Sequence, residues 1–586
     1  VRKIETHLEQ PEFLPTDRKA MEVLGWDQLD ILLVSGDAYV DHPSFGTALL
    51  GRWLVHHGFR VGIVAQPVWD SVDAVSAMGR PRLFAGVTAG ALDSMLAHYT
   101  AFRKKRHDDS YTPGGKAGAR PNRATIVYTG LVRRAFSRLP VVIGGVEASM
   151  RRATHYDFWT DKIRRSILLD SKANLLIYGM AELALLELAR RLDAADTNGA
   201  AATEQGINAA LIGIPGSVFA GAPEANIPPK AQVCHLPSHE EILANSQDLM
   251  AATLLLEKQV HHGATWAVQS VGDRTVILSP PARPLTEPEM GVLYGLPFAR
   301  TEHPSYRKPV PACDMIRFSI TTHRGCGGGC SFCSIALHQG RHIVSRDSAS
   351  IAAEVREMVR HREWKGSLSD IGGPTANMWG AVCLRKGRAC VRPSCLHPDI
   401  CASFHVDQRK IAGLLRRIFR HPGVRHVRVA SGVRHDLALT EPEYVRALTR
   451  EFTGGQLKLA PEHRSSSVLN LMRKPDFARF EEFVKLFNRS SDASGKKQFI
   501  LPYLISAFPG CTDDHMRELA AWLKTRHWEP RQVQCFVPVP GTVATAMYFT
   551  GQDPKGHPIH VARTDAERLR QHGILLGHKT GRTRKT

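Results

Sequence analysis

The chain is 586 residues long, 43% hydrophobic and 23% charged, with 76 Lys and Arg against 56 Asp and Glu, a net charge of +20. That length exceeds one hydrophobic core and calls for two or more domains of ordinary soluble composition. No uninterrupted apolar run is long enough for a membrane span, and the start, VRKIETHLEQPEF, lacks the apolar core of a signal peptide, so a cytoplasmic protein with no membrane partner is expected.

The first 300 residues alternate short apolar runs with helical stretches. Strands are expected at Asp30–Ser35, Arg60–Ala65, Arg82–Ala85, Thr125–Tyr128, Val141–Gly144 and Asn174–Tyr178, with a helix over Ala48–His57. Alternation of this kind predicts a doubly wound (Rossmann-like) parallel sheet over residues 1–305. Residues 196–230, rich in Ala, Gly, Asn and Pro, read as an insertion or exposed loop.

A different rhythm begins at about residue 306. Six strands are expected, at Ile316–Thr321, Gly366–Ile371, Val427–Ser431, Gln456–Ala460, Phe499–Ser506 and Val533–Val537. Helical stretches at Ile351–Arg362, Gln408–Phe419, Glu443–Phe452, Phe480–Phe487 and His515–His527 separate them. The α/β pattern predicts a partial (β/α)6 barrel over 306–545, followed by a basic tail over 546–586.

Directly after the first of these six strands stands RGCGGGCSFCSIALHQG, with Cys326, Cys330 and Cys333 in C-x3-C-x2-C spacing. At this cysteine frequency about 0.004 such runs are expected by chance. Three thiolates on one loop suit three irons of a cubane cluster, leaving the fourth iron open to a ligand. Gly327, Gly328 and Gly329 let the loop fold tightly around sulfide. Zinc is the competing reading, with Cys313, His323 or His338 as fourth ligand.

This loop resembles the cluster-binding loop of radical S-adenosylmethionine (SAM) enzymes, in which a 4Fe-4S cluster binds SAM through its open iron. Phe332 matches the aromatic position before the third cysteine that lies near the adenine. Gly372 and Gly373, in DIGGPTANMWG, resemble the glycine motif whose backbone holds the SAM amino group, although Pro374 and Thr375 stand where an acidic residue often lies. Ser431 and Glu462 follow the third and fourth strands and would face the same end of the barrel, as contacts to SAM or as helix caps. Together with ASGVRHDLA, LKLAPEHRS, YLISAFPGCT and FVPVPGTVATAMYFTG, these motifs are similar to the YgiQ-type radical SAM family across nearly the whole chain. The resemblance implies SAM cleavage to start radical chemistry, and an electron donor such as flavodoxin or ferredoxin; it implies no particular substrate or catalytic residue. The N-terminal region resembles the cobalamin-binding domain of some radical SAM enzymes without its D-x-H-x-x-G motif. In Asp41-His42-Pro43-Ser44-Phe45-Gly46 the Asp and His are adjacent, so His42 reads as a loop histidine.

Cys383, Cys390, Cys395 and Cys401 form a second group within 19 residues, a candidate second metal site holding zinc or an auxiliary iron–sulfur cluster, or no metal, with His397 or His405 as substitute ligands. Cys511 reads as a packed thiol. The net charge raises RNA as a partner, through Arg103–Arg106, Arg151–Arg152, Arg164–Arg165, Arg385, Arg388, Arg392 and the basic end. Two other functions compete with the enzyme: a zinc-dependent nucleic-acid-binding module and an iron–sulfur redox sensor without turnover.

Overall fold

The computed structural model describes residues 8–197, 199, 203–385, 390–530 and 532–577. The chain is mixed α/β and divides into two compact units. The first comprises 1–100, 104–285 and 292–317, and the second 101–103, 286–291 and 318–586.

The first unit is built on a nine-stranded sheet. Five strands run parallel in the spatial order Val61–Ala65, Ile31–Ser35, Phe84–Thr88, Val141–Gly144, Leu175–Ile177. Ile31–Ser35 is buried along its whole length, as a strand covered on both faces must be. Ser217–Ala220 pairs antiparallel with Leu175–Ile177. The sheet then continues through Arg274–Leu278, Trp266–Val271 and Val233–His235.

Two expectations fail here. Thr125–Tyr128 is not a strand but lies in the helix Ala124–Ala135. Its buried residues, Thr125, Tyr128, Thr129 and Val132, follow helical spacing, and Phe84–Thr88 pairs directly with Val141–Gly144, leaving no strand position between them. The stretch 196–230 is not a plain loop: it holds the helix Glu204–Leu211 and the strand Ser217–Ala220, whose Val218 and Phe219 are buried.

In the second unit, successive strands pair parallel. Ser319–Thr321 lies beside Asp370–Gly372, and Ser367–Leu368 beside His426–Val427. Val433 bridges to Leu459, and Gln456–Glu462, Phe499–Ser506 and Gln532–Cys535 form a three-stranded sheet. The intervening helices follow their apolar stripes. Gln408–Phe419 buries Ile411, Leu414, Leu415 and Ile418, and Asp407 caps it by accepting from the Arg409 and Lys410 N–H groups. The segment expected as a basic tail is largely folded. Val543–Thr550 and Asp565–Leu576 are helices, and in the latter Arg568 donates to the Phe536 carbonyl and Gln571 to that of Cys511. The basic end, 578–586, lies outside the described residues. No helix among the described residues is long and apolar enough to cross a membrane.

Candidate metal centre

The first cysteine loop leaves the carboxyl end of Ser319–Thr321, the end at which loops of parallel strands converge. Its neck is closed by antiparallel pairing of His323–Arg324 with Val344–Ser345, and by a bond of 3.1 Å from the Cys326 N–H to the Gly340 carbonyl. Gly325 sits at φ +84°, where a side chain would overlap the His342 carbonyl oxygen. Gly328 fits the cradle from inside: a Cβ there would meet the Cys326 and Cys330 sulfurs at 3.3 and 3.7 Å and Nη1 of Arg434 at 3.3 Å.

The three cysteines are half-buried on this loop. Burial pushes the Cys333 thiol up to about 12, with the nearby Cys330 and Cys326 sulfurs adding to the shift. Burial and Cys330 likewise raise Cys326. Three thiolates so placed need a cationic centre to neutralise them, which is the chemistry iron supplies to a thiolate set. The residues therefore fit a three-thiolate cluster.

Around them stand cations that sequence reasoning missed. Nη1 of Arg434 lies 3.9 Å from the Cys330 sulfur, and its guanidinium grips Asp436 at 2.6 and 2.9 Å. Burial alone would raise Asp436, but Arg434 outweighs it and holds the carboxyl down at about 2. Arg473 donates to the Gly329 carbonyl at 3.3 Å, while Ser331 bonds the Leu471 and Met472 carbonyls at 2.6 and 3.1 Å. The segment 471–473 thus holds the loop through the Leu471 and Met472 carbonyls and the Arg473 side chain. The available signal was the Arg-His-Asp directly after the third strand and the Arg-Lys after the helix Ser466–Met472.

The other expected site residues divide into two kinds. Gly372 ends the strand Asp370–Gly372 and Gly373 follows it; a Cβ on Gly373 would lie 2.6 Å from the His323 carbonyl oxygen, so the close approach requires glycine. Phe332 packs edge-on to Phe508, centroids 6.0 Å apart. Ser431 and Glu462 already have partners. Ser431 donates its backbone N–H and hydroxyl to Asp370, and Glu462 forms a buried 3.2 Å ion pair with Lys474. Cys511 is buried, its sulfur 3.4 Å from Nε2 of His463.

Residues 13–319 match the family described as radical SAM N-terminal. Over 570 residues the chain is 51% identical to a UPF0313 protein of Geobacter sulfurreducens, covering 97% of this chain and 92% of that one. It is 46% identical over 564 residues to a UPF0313 protein of Bradyrhizobium diazoefficiens, covering 92% and 82%. The chain belongs to the UPF0313 family. Among solved structures, the radical S-adenosylmethionine methyltransferase TsrM of Kitasatospora setae, with tryptophan and a SAM analogue bound, is similar to this UPF0313 chain at a TM-score of 0.50. The match covers 87% of this chain and 74% of that one at 15% identity, a likeness of fold.

In the first unit of this UPF0313 protein, His42 is buried, its Nδ1 accepts the Ser44 N–H at 3.0 Å, and its Nε2 lies 3.1 Å from Arg300. Asp41 beside it is buried against Arg52 at 2.5 Å. Both side chains are spent on internal structure.

Cys383 lies on a two-residue strand, Val382–Cys383, paired with Phe404–His405, and Cys390, Cys395 and Cys401 follow in the intervening loop. Among the described residues no three His, Cys, Asp or Glu side chains are grouped tightly enough to hold one ion, in either cysteine group. The charge argument for RNA also weakens. Arg151 pairs with Asp93, Arg164 and Arg165 with Asp170, and Arg392 donates to the carbonyls of Ser394, His397 and Asp399. Arg152 is buried over the Tyr178 ring, and Arg388 lies outside the described residues.

Proposed function

We propose that this UPF0313 protein is a radical SAM enzyme whose 4Fe-4S cluster is held by Cys326, Cys330 and Cys333. The observation that carries the reading is the seating of three mutually interacting thiols, in C-x3-C-x2-C spacing, on a glycine loop at the carboxyl end of the first of the paired parallel strands. We read those strands as a partial (β/α)6 barrel and the first unit as a Rossmann-like domain. A bound cluster with one open iron supplies one-electron reduction of SAM, yielding methionine and a 5′-deoxyadenosyl radical.

The chain's own residues bind and orient. The backbone at Gly372 and Gly373, free of side chains, is suited to accept the SAM amino group, and Phe332 offers an aromatic edge to the adenine. Ser431, with its N–H and hydroxyl given to Asp370, fixes one strand end to the next. Glu462 holds Lys474, which places a buried ammonium whose field reaches Cys326. Arg434 and Lys474 together supply positive charge beside the thiolates, which favours the anionic cluster. An external one-electron donor of the flavodoxin or ferredoxin type completes the system.

The test is product analysis. Anaerobically reconstituted protein given SAM and dithionite is expected to release 5′-deoxyadenosine, and the Cys326, Cys330 and Cys333 triple alanine variant is expected to release none. An iron-loaded wild type that forms no 5′-deoxyadenosine would instead fit a redox sensor without turnover.

A further inference from the structure

The second cysteine group is folded onto the first. The Cys395 N–H donates to the Gly327 carbonyl at 2.8 Å, one residue from Cys326, and the Ser394 hydroxyl donates to the Gly328 carbonyl at 2.6 Å. Gly329, at φ +57°, has no room for a side chain because the Pro393 carbonyl oxygen occupies that space. The triple glycine of the first loop is therefore shaped by the second loop as well as by sulfide. Cys326, Cys395 and Cys401 all pack against one apolar cluster of Met378, Ala381, Leu396, Phe404 and Leu437.

The backbone also brings the second group together. The Cys401 N–H donates to the Cys395 carbonyl at 2.8 Å, the Phe404 N–H donates to the Cys401 carbonyl at 2.8 Å, and Phe404 is the register partner of Cys383. Arg392 bonds three carbonyls within the loop, and Arg341 is fixed to the Arg392 carbonyl. Among the described residues the four sulfurs of this second group are not grouped around one ion, and neither are those of Cys326, Cys330 and Cys333.

We propose that Cys383, Cys390, Cys395 and Cys401 bind a second iron–sulfur cluster, a four-thiolate cubane beside the first cysteine loop. With a thiolate on every iron it has no open position for a ligand, so its chemistry is one-electron storage. The oxidised cube takes one electron from an external one-electron donor and is reoxidised by passing it to the cluster of the first cysteine loop, with no bond made or broken. Cys383 is the exposed member and stands among exposed Val382, Leu384 and Arg385, the side a donor protein can reach. Cys395 is the member bonded to the backbone beside Cys326.

The site uses none of the residues assigned to SAM cleavage, so the two readings fail separately. The full chain is purified anaerobically with iron and sulfide, and iron, sulfide and zinc are counted per chain. Wild type is expected to hold about eight irons, and the Cys326, Cys330 and Cys333 triple alanine variant about four. The reduced triple variant is expected to give an electron paramagnetic resonance signal that SAM does not alter. The Cys383, Cys390, Cys395 and Cys401 quadruple alanine variant is expected to keep about four irons whose signal SAM does alter. One zinc per chain, or no metal, in the triple variant would overturn the proposal. If that variant does not fold, equal iron in wild type and the quadruple variant would overturn it.

Discussion

Both units of this chain gather loops at the carboxyl ends of parallel strands, and they fill that position in opposite ways. In the first unit the strand order reverses between Ile31–Ser35 and Phe84–Thr88, the place where open α/β sheets take ligands. Here the position is filled from within. Arg120 pairs with Asp37 at 2.9 Å and Asp109 at 3.0 Å, donates to the Ala89 carbonyl, and all three side chains are buried. A Cβ on Gly90 would fall on the Asp37 carboxylate. In the second unit the strand ends carry three half-buried cysteines on one glycine loop, with Arg434 3.9 Å from the Cys330 sulfur. The same topological position is closed by buried ion pairs in one unit and carries a cysteine loop in the other.

Three measurements sharpen that contrast. The largest effect is expected from Arg120→Ala, which leaves two carboxylates buried without their cation and should cost about 3–5 kcal/mol. Urea unfolding followed by hydrogen exchange should place that loss in the first unit, with iron content unchanged; lost iron would mean that the two regions are not independent.

Next comes a pair of glycine substitutions. Gly36→Ala drives a Cβ into the Ala89 carbonyl and should cost about 1–3 kcal/mol with iron retained. Gly329→Ala meets the Pro393 carbonyl at a left-handed φ and should lower iron per chain severalfold. Equal iron in the two variants would show that the packing of the second cysteine loop on the first does not matter for metal binding.

The smallest effect is a pH slope of opposite sign in the two units. Burial holds Asp37 up at about 6, so between about pH 4 and 6 the folded state keeps a proton that the unfolded chain has lost, and stability falls as pH rises. Burial, with His515 adding, holds His463 down at about 3. Below about pH 6.5 the unfolded chain takes a proton that the folded state refuses, so stability falls as pH falls. Each slope is at most about 1.4 kcal/mol per pH unit. Asp37→Asn should remove the first and His463→Gln the second; identical slopes in wild type and variant would reject the assigned titration.

The sequence displayed whatever depended on local periodicity. Gln408–Phe419 is a helix over the expected residues because one face is apolar and the other charged, and Phe499–Ser506 is likewise a strand as expected. The β-branched run Thr125–Tyr128 was misleading because its buried face is set by neighbours distant in sequence. The strand Ser217–Ala220 was hidden for the same reason: four residues among Gly and Pro become a strand only by pairing with Leu175–Ile177. At the candidate site, the cysteine spacing was legible because Cys326, Cys330 and Cys333 are local in sequence. Arg434, Arg473 and Lys474 were not, since their role depends on which strand ends meet. Glu462 was legible as a strand-end carboxylate, but its ion pair with Lys474 was not.

The central claim is that three thiolates leave one iron open to SAM. Electron paramagnetic resonance of the reduced, iron-loaded protein, recorded with and without SAM, tests it most directly. A change in the g values on adding SAM, absent from the Cys326, Cys330 and Cys333 triple alanine variant, is the predicted result. A spectrum that SAM leaves unchanged in an iron-replete wild type would contradict it.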